Sequence, residues 1–134
     1  MKIIELRHKV YSVFKGKCPE CLQGDVFQYK HTYDLKNFDK MYAHCPHCGT
    51  KYEKETGYWY GAMYVSYGMT VAFSVAAFVS AFLLSSLFNW KIPLFGYFAI
   101  ICITITLLIP VTFRGSRLIW MNLFSAYDPD KATK

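Results

Sequence analysis

The chain of 134 residues has the length of one domain and carries 15 Lys and Arg against nine Asp and Glu, a formal net charge of +6. Its hydrophobic content of 54% is too high for an intrinsically disordered protein. Seven of the nine acidic residues precede position 57, and the other two follow position 127. A soluble domain would have charges along all of its helices, so this distribution indicates a membrane protein with a small polar head.

The first predicted element is a short basic helix over residues 1–16. Apolar and basic residues alternate here, which is typical of an amphipathic helix that lies on anionic lipid. Binding of a partner protein is the alternative role for this helix. The segment lacks a cleavage site of small residues, so we do not expect a secretory signal.

The strongest motif lies in residues 17–56, where two Cys-Pro-x-Cys pairs are separated by 23 residues. This spacing is typical of a structural zinc site, because two cysteines three residues apart direct both sulfurs to one point. Iron in a rubredoxin-like site and a redox-active thiol pair are less favoured, and disulfides are not expected in a reducing compartment. The expected ion is Zn²⁺, and its predicted ligands are Cys18, Cys21, Cys45 and Cys48.

Short strands are predicted on either side of the second cysteine pair. Residues 25–29 partly alternate apolar and polar side chains, and residues 51–53 follow the second turn. The predicted fold of the head is therefore a small cytoplasmic zinc ribbon of β-hairpins. Gly49, and less strictly Gly24, is expected to leave its cysteine turn with a positive φ.

The lysines and histidines near the motif, and the fifth cysteine in the second span, have simpler expected roles. Lys17 and Lys51 are expected to offset the negative charge of a tetrathiolate centre. His44 and His47 are expected to be neighbours of the site or solvent residues, since four thiolates already complete the coordination. The fifth cysteine, Cys102, is expected to be a small buried residue.

Two uncharged stretches follow the head. Residues 57–90 form a run of 34 without Asp, Glu, Lys, Arg or His, and residues 92–113 form another of 22. About 20 apolar residues are needed to cross roughly 30 Å of hydrocarbon. The prediction is an antiparallel two-helix transmembrane hairpin over residues 57–113, with spans at about 60–88 and 92–113, in a protein that is helical overall.

Basic residues predict the orientation of this hairpin. Ten Lys and Arg lie in residues 1–56, one lies in the link between the spans, and four lie in residues 114–134. Both termini are therefore expected in the cytoplasm, with the hairpin in a bacterial inner membrane. Residues 114–134 form the predicted juxtamembrane segment and tail, in which 118–124 either extend the second helix or lie at the headgroups. Orientation explains the positive charge, so no nucleic-acid binding is expected.

Small residues recur at helical spacing along one face of the first span. They favour packing against the second span, with a homodimer or partner contact as the alternative. The opposite face is aromatic and predicts an interfacial belt, with a quinone or lipid pocket as the alternative. The small residues are Ala62, Ser66, Thr70, Ser74, Ala77 and Ala81, and the aromatic face contains Tyr60, Met63, Tyr64 and Tyr67.

The order of these features resembles the bacterial domain of unknown function (DUF) family 983 over roughly residues 14–129. The resemblance implies an inner-membrane protein without assigned activity. Genes of some members lie beside haem–copper oxidase assembly genes, which implies an assembly role by association. The longer insert Tyr29–Ala43 departs from the family pattern, so no role is carried over to it. The matching residues are Gly16–Cys21, Gly24, Phe27, Cys45–Gly49, Tyr60–Tyr67, Arg114, Arg117, Leu118, Trp120 and Ser125–Pro129.

The expected function is that of a non-enzymatic adaptor, assembly or accessory subunit of a membrane complex. A closed four-ligand site leaves no position for a substrate or water, and no catalytic residues or organic cofactor are predicted. The expected partners are the lipid bilayer and a protein of the complex, with a homo-oligomer also compatible. The alternatives are a redox or metal-handling factor for respiratory-complex assembly and an accessory subunit of a transporter or secretion machine.

Overall fold

The computed structural model describes residues 2–133; Met1 of the predicted first helix and Lys134 of the predicted tail lie outside the described residues. The protein is mostly helical, and residues 17–56, called the head below, separate the first two helices. The helices are α1 (Lys2–Lys15), α2 (Tyr60–Leu87), α3 (Leu94–Phe124) and α4 (Pro129–Ala132).

α2 and α3 are long and apolar enough to cross a membrane, and they pack against each other as an antiparallel pair. Their 28 and 31 residues correspond to about 42 and 46 Å at 1.5 Å per residue. A short connection joins them, in which Asn89 adopts a positive φ of 52° and the Trp90 N–H donates to the Ser85 carbonyl. The hydroxyls of Ser85 and Tyr97 lie 2.8 Å apart across the helix pair near this connection.

The small residues of α2 lie on the side that faces α3. Ala62 and Ala81 are buried, whereas the tyrosines of the opposite face are exposed. Thr104 of α3 lines a cleft together with Ala77 and Ala81, so small side chains meet between the helices. The stripe therefore packs within the hairpin. Its half-buried members are Ser66, Thr70, Ser74 and Ala77.

α3 continues beyond the predicted span as far as Phe124, so residues 118–124 extend this helix. Leu118 and Met121 in its last turns are buried in one cluster with residues of the head. The C-terminal end of α3 thus supplies part of the core of the head. The residues of the head in this cluster are Cys18, Cys21, Val26, Phe27, Cys45 and Tyr52.

The β-hairpins predicted for the head are not confirmed. Between residues 2 and 133 the backbone forms isolated antiparallel bridges and no strand. Two hydrogen bonds flank the third bridge, from Cys45 N–H to the Thr50 carbonyl and from Tyr52 N–H to the Ala43 carbonyl. Turns and bends adjoin the bridges. The bridged pairs are Lys17 with Asp25, Phe27 with Met41, and His44 with Lys51.

α1 lies against the end of α3 through its polar side. The fully buried Ser12 donates from its hydroxyl to the Lys17 carbonyl at 2.7 Å and accepts from the Asn122 amide at 3.1 Å. Most apolar side chains of α1 are exposed, which leaves its apolar face available. Contact of this face with lipid stays a prediction. The exposed residues are Ile3, Ile4, Leu6, Val10, Tyr11 and Phe14.

Gly61 of α2 is in close contact with the Trp120 indole of α3. A Cβ atom at Gly61 would overlap this ring, whereas one at Gly68, two turns later, would meet no atom within 4 Å. We expect Gly61→Ala to destabilise the helix pair by about 1–3 kcal/mol through overpacking. Gly68→Ala should instead be neutral or stabilise α2 by up to about 1 kcal/mol. Thermal unfolding of both variants in one detergent checks this, and equal melting temperatures would contradict the close contact.

Candidate metal centre

Each Cys-Pro-x-Cys pair forms a tight turn that is closed by a backbone hydrogen bond. The Leu22 N–H donates to the Cys18 carbonyl and the Gly49 N–H to the Cys45 carbonyl, both at 2.9 Å. Leu22 and Gly49 have positive φ values of 57° and 73°. The positive φ predicted for Gly49 is confirmed, but the one predicted for Gly24 is wrong, because Leu22 already reverses the chain in the first turn.

The two turns bring the four predicted ligands together. The Sγ atoms of Cys18 and Cys48 lie 3.9 Å apart, those of Cys21 and Cys45 lie 3.7 Å apart, and all four lie within 4.8 Å of one another. Metal–sulfur bonds of about 2.3 Å in a tetrahedron require sulfur–sulfur distances of about 3.8 Å. The observed spacing therefore fits a metal ion bound by four thiolates, and the cluster could hold one.

The thiols lie in an environment that favours a bound cation. Burial raises the pKa of Cys18 and of Cys21 above the usual value of a thiol. Burial also opposes ionisation of Cys45, but hydrogen bonds from several groups, first the Cys48 backbone N–H and the Tyr52 hydroxyl, together outweigh it and lower the pKa of Cys45 to about 7. Buried thiolates need compensating charge, and a metal ion bound by the sulfurs would supply it.

The two lysines expected to offset the thiolate charge do not contact the cysteine sulfurs. Lys17 forms an ion pair with Asp25 at 2.6 Å, and Lys51 is exposed. His44 and His47 are also exposed, and the cysteine cluster does not include them. Cys102 was expected to be buried, but it is exposed on α3, because it lies on a face that α2 does not cover. The cluster therefore consists of the four predicted cysteines.

Gly24 follows the first turn and packs directly against the second cysteine pair. A Cβ atom at Gly24 would overlap the Cys45 sulfur and come within 3.4 Å of both His47 Cβ and Pro46 Cδ. Glycine is required here for a close approach and not for a positive φ, which corrects the role predicted from the sequence.

The C-terminal tail closes over the first cysteine turn through Glu20, a contact that the sequence analysis missed. Glu20 Oε2 accepts from Thr50 Oγ1 at 2.8 Å and from Lys131 Nζ at 2.6 Å, and the Asp128 N–H donates to the Glu20 carbonyl at 3.0 Å. Burial opposes ionisation of Glu20, but the hydrogen bonds from Lys131 and Thr50 lower its pKa. The acidic residue inside the cysteine pair is the only sequence signal for this contact.

Comparison with known proteins places this structure in a family. A family model described as "Protein of unknown function (DUF983)" matches residues 35–124, about two-thirds of the chain. The matched region contains the second cysteine pair, α2 and α3. No curated protein and no solved structure matches the chain. The match confirms the resemblance noted from the sequence, and the chain belongs to the DUF983 family.

Proposed function

We propose that this protein is an integral membrane protein with a structural Zn²⁺ in a cytoplasmic head, and that it acts as a non-enzymatic adaptor or assembly subunit of a membrane complex. The closed geometry of the cysteine cluster carries the proposal. Cys18, Cys21 and Cys45 are at most 3% exposed. Four thiolates complete the tetrahedral coordination of Zn²⁺, the usual ion of such sites, and leave no position for a substrate or water.

The surfaces of α2 and α3 support the membrane location. Only 11% and 6% of their most hydrophobic windows are buried inside the protein. Apolar helices in a soluble protein are covered by other elements, whereas these two expose large side chains such as Tyr64 and Phe95. The excess of Lys and Arg outside the link supports cytoplasmic termini in a bacterial inner membrane.

The insert Tyr29–Ala43 is the docking surface that we propose for a partner protein. A contact with α3 holds the insert in place, because Arg114 Nε donates to the Phe38 carbonyl at 3.0 Å. Its outer side carries Tyr33 and Leu35, which are 61% and 76% exposed. Tyrosine is one of the residue types that supply most of the affinity in protein interfaces, and the exposed Leu35 adds apolar surface beside Tyr33.

Co-purification from native membranes, followed by mass spectrometry, tests this proposal. The double variant Tyr33→Ser/Leu35→Ser should lower recovery of the partner by about tenfold or more, because it removes two apolar contacts. The matched control Ile3→Ser/Ile4→Ser changes two exposed apolar residues of α1 and should leave recovery unchanged. Absence of any reproducible partner would refute the adaptor function, and loss only in the α1 control would refute the docking surface.

A metal-handling role is the second candidate because Cys48 is the least buried of the four ligands. Rapid transfer of the ion from the folded protein to a chelator would favour this role, whereas slow loss would favour a structural ion. An accessory role in a transporter has less support. The small residues of α2 that it would use for contact with another chain are half-buried against α3, namely Ser66, Thr70 and Ser74.

A further inference from the structure

A cleft of about 670 Å³ lies between the first half of α2 and the last third of α3. This volume is within the range of ligand-binding sites. Its wall along α2 runs from Tyr60 to Thr70, a rise of about 15 Å, which is half of the roughly 30 Å thickness of a hydrocarbon core. The cleft therefore has the depth of one leaflet.

Arg117 is the charged residue at the mouth of this cleft, and aromatic rings hold its guanidinium in place. Its Cζ atom lies 4.0 Å from the centre of the Phe113 ring and 5.2 Å from that of Trp59. Its Nη1 atom lies 3.1 Å from the Met41 sulfur. Within residues 2–133 no carboxylate comes within the 4.0 Å of an ion pair with Arg117. Asp39 and Glu53 attract the Arg117 charge from beyond ion-pair distance, so the guanidinium can still bind an anion that comes closer.

The position of Arg117 matches the level of lipid headgroups. It lies one turn after Arg114, the first charged residue that follows the uncharged stretch of α3. Trp59, on the opposite side of the mouth, immediately precedes α2. Tryptophan and arginine are both common at membrane interfaces, where they contact headgroups.

Below Arg117 the cleft is mostly apolar, and the hydroxyl groups of two of its lining residues are already bonded to the backbone. Thr70 Oγ1 donates to the Ser66 carbonyl at 2.9 Å, and Ser116 Oγ donates to the Phe113 carbonyl at 3.0 Å. Met63 and Tyr67 form the outer part of the wall and are exposed. Such a surface suits a hydrocarbon chain and offers little to a polar solute.

We infer that this cleft binds one anionic phospholipid of the adjacent leaflet. The phosphate contacts the Arg117 guanidinium, and one acyl chain lies along α2 between Tyr60 and Thr70. The two halves of the site match the two halves of this molecule: a free phosphate would use only the arginine, and an uncharged amphiphile would use only the apolar wall. The inference rests on the membrane location proposed above.

Native mass spectrometry of the full chain in neutral detergent, titrated with phosphatidylglycerol or phosphatidylcholine, tests the site. We expect one tightly held phosphatidylglycerol per chain and weaker retention of phosphatidylcholine. Arg117→Gln should weaken phosphatidylglycerol binding by about tenfold or more, the effect of losing a charge-assisted hydrogen bond. Arg117→Lys should retain most of the affinity because it keeps the charge. Lys91→Gln removes a cation from the α2–α3 link and should change nothing.

Several results would overturn the lipid site. These are equal retention of the two lipids, equal losses in Arg117→Gln and Lys91→Gln, loss of binding in Arg117→Lys as large as in Arg117→Gln, or displacement of the lipid by inorganic phosphate. Alkaline extraction of cell membranes tests the proposed membrane location independently of lipid binding. Wild type and Arg117→Gln should both stay in the membrane fraction, and release of both would refute the location itself.

Discussion

Replacing Cys18 or Cys45 with alanine should abolish binding of the proposed metal ion and unfold the head, while α2 and α3 keep their helical structure. Both sulfurs belong to the buried cluster, and the head has no strands that could hold it together among the residues described. Apparent binding energies of structural zinc sites are about 10–16 kcal/mol, which exceeds the stability of a segment of this size. Elemental analysis gives the metal content, and hydrogen exchange over residues 17–56 reports the unfolding.

Cys102→Ala is the matched control for this experiment. Cys102 is exposed on α3 and does not belong to the cysteine cluster, so its replacement should change neither the metal content nor the exchange of the head. A Cys18→Ala protein that loses its metal but keeps slow exchange over residues 17–56 would show that the ion is not structural.

Gly24→Ala should lower the affinity for the metal by about 10–100-fold, although Gly24 is not a ligand. A methyl group at this position would overlap the Cys45 sulfur, which cannot move away without leaving the tetrahedral arrangement. Gly49→Ala provides the comparison. Its Cβ would meet no atom within 4 Å, and its φ of 73° should cost about 1–2 kcal/mol of folding energy.

Competition with a chromophoric chelator measures both affinities under the same conditions. The larger loss is expected in Gly24→Ala, because steric overlap acts directly on a ligand whereas backbone strain at Gly49 is distributed over the turn. A larger loss in Gly49→Ala would indicate that the conformation of the second turn, and not the contact of Gly24 with Cys45, limits metal binding.

The cysteine cluster and the two long helices were predictable from the sequence because their signals are local. Two cysteines three residues apart specify a tight turn, and a run of more than 20 uncharged residues specifies a helix of membrane length. The strand predicted at residues 25–29 is not confirmed, because Asp25 and Phe27 form isolated bridges with two different segments, and an alternating pattern is compatible with such bridges as well as with a full strand.

Contacts between distant parts of the chain were not predictable. Glu20 meets Lys131 across more than a hundred residues, and no spacing rule connects them. Gly24 was assigned a conformational role because sequence alone does not reveal which atom lies opposite a glycine. The burial of Leu118 and Met121 in the head depends in the same way on how far α3 extends beyond its apolar stretch.

The use of α3 in the core of the head has a consequence for biosynthesis. Cys18 leaves the ribosome about 100 residues before Leu118 and Met121, with which it shares a buried cluster. Final packing of the head therefore has to wait until translation of both helices is complete. During that interval the cysteines lack the buried environment that α3 supplies in the folded protein, and exposed apolar surface of this kind favours aggregation.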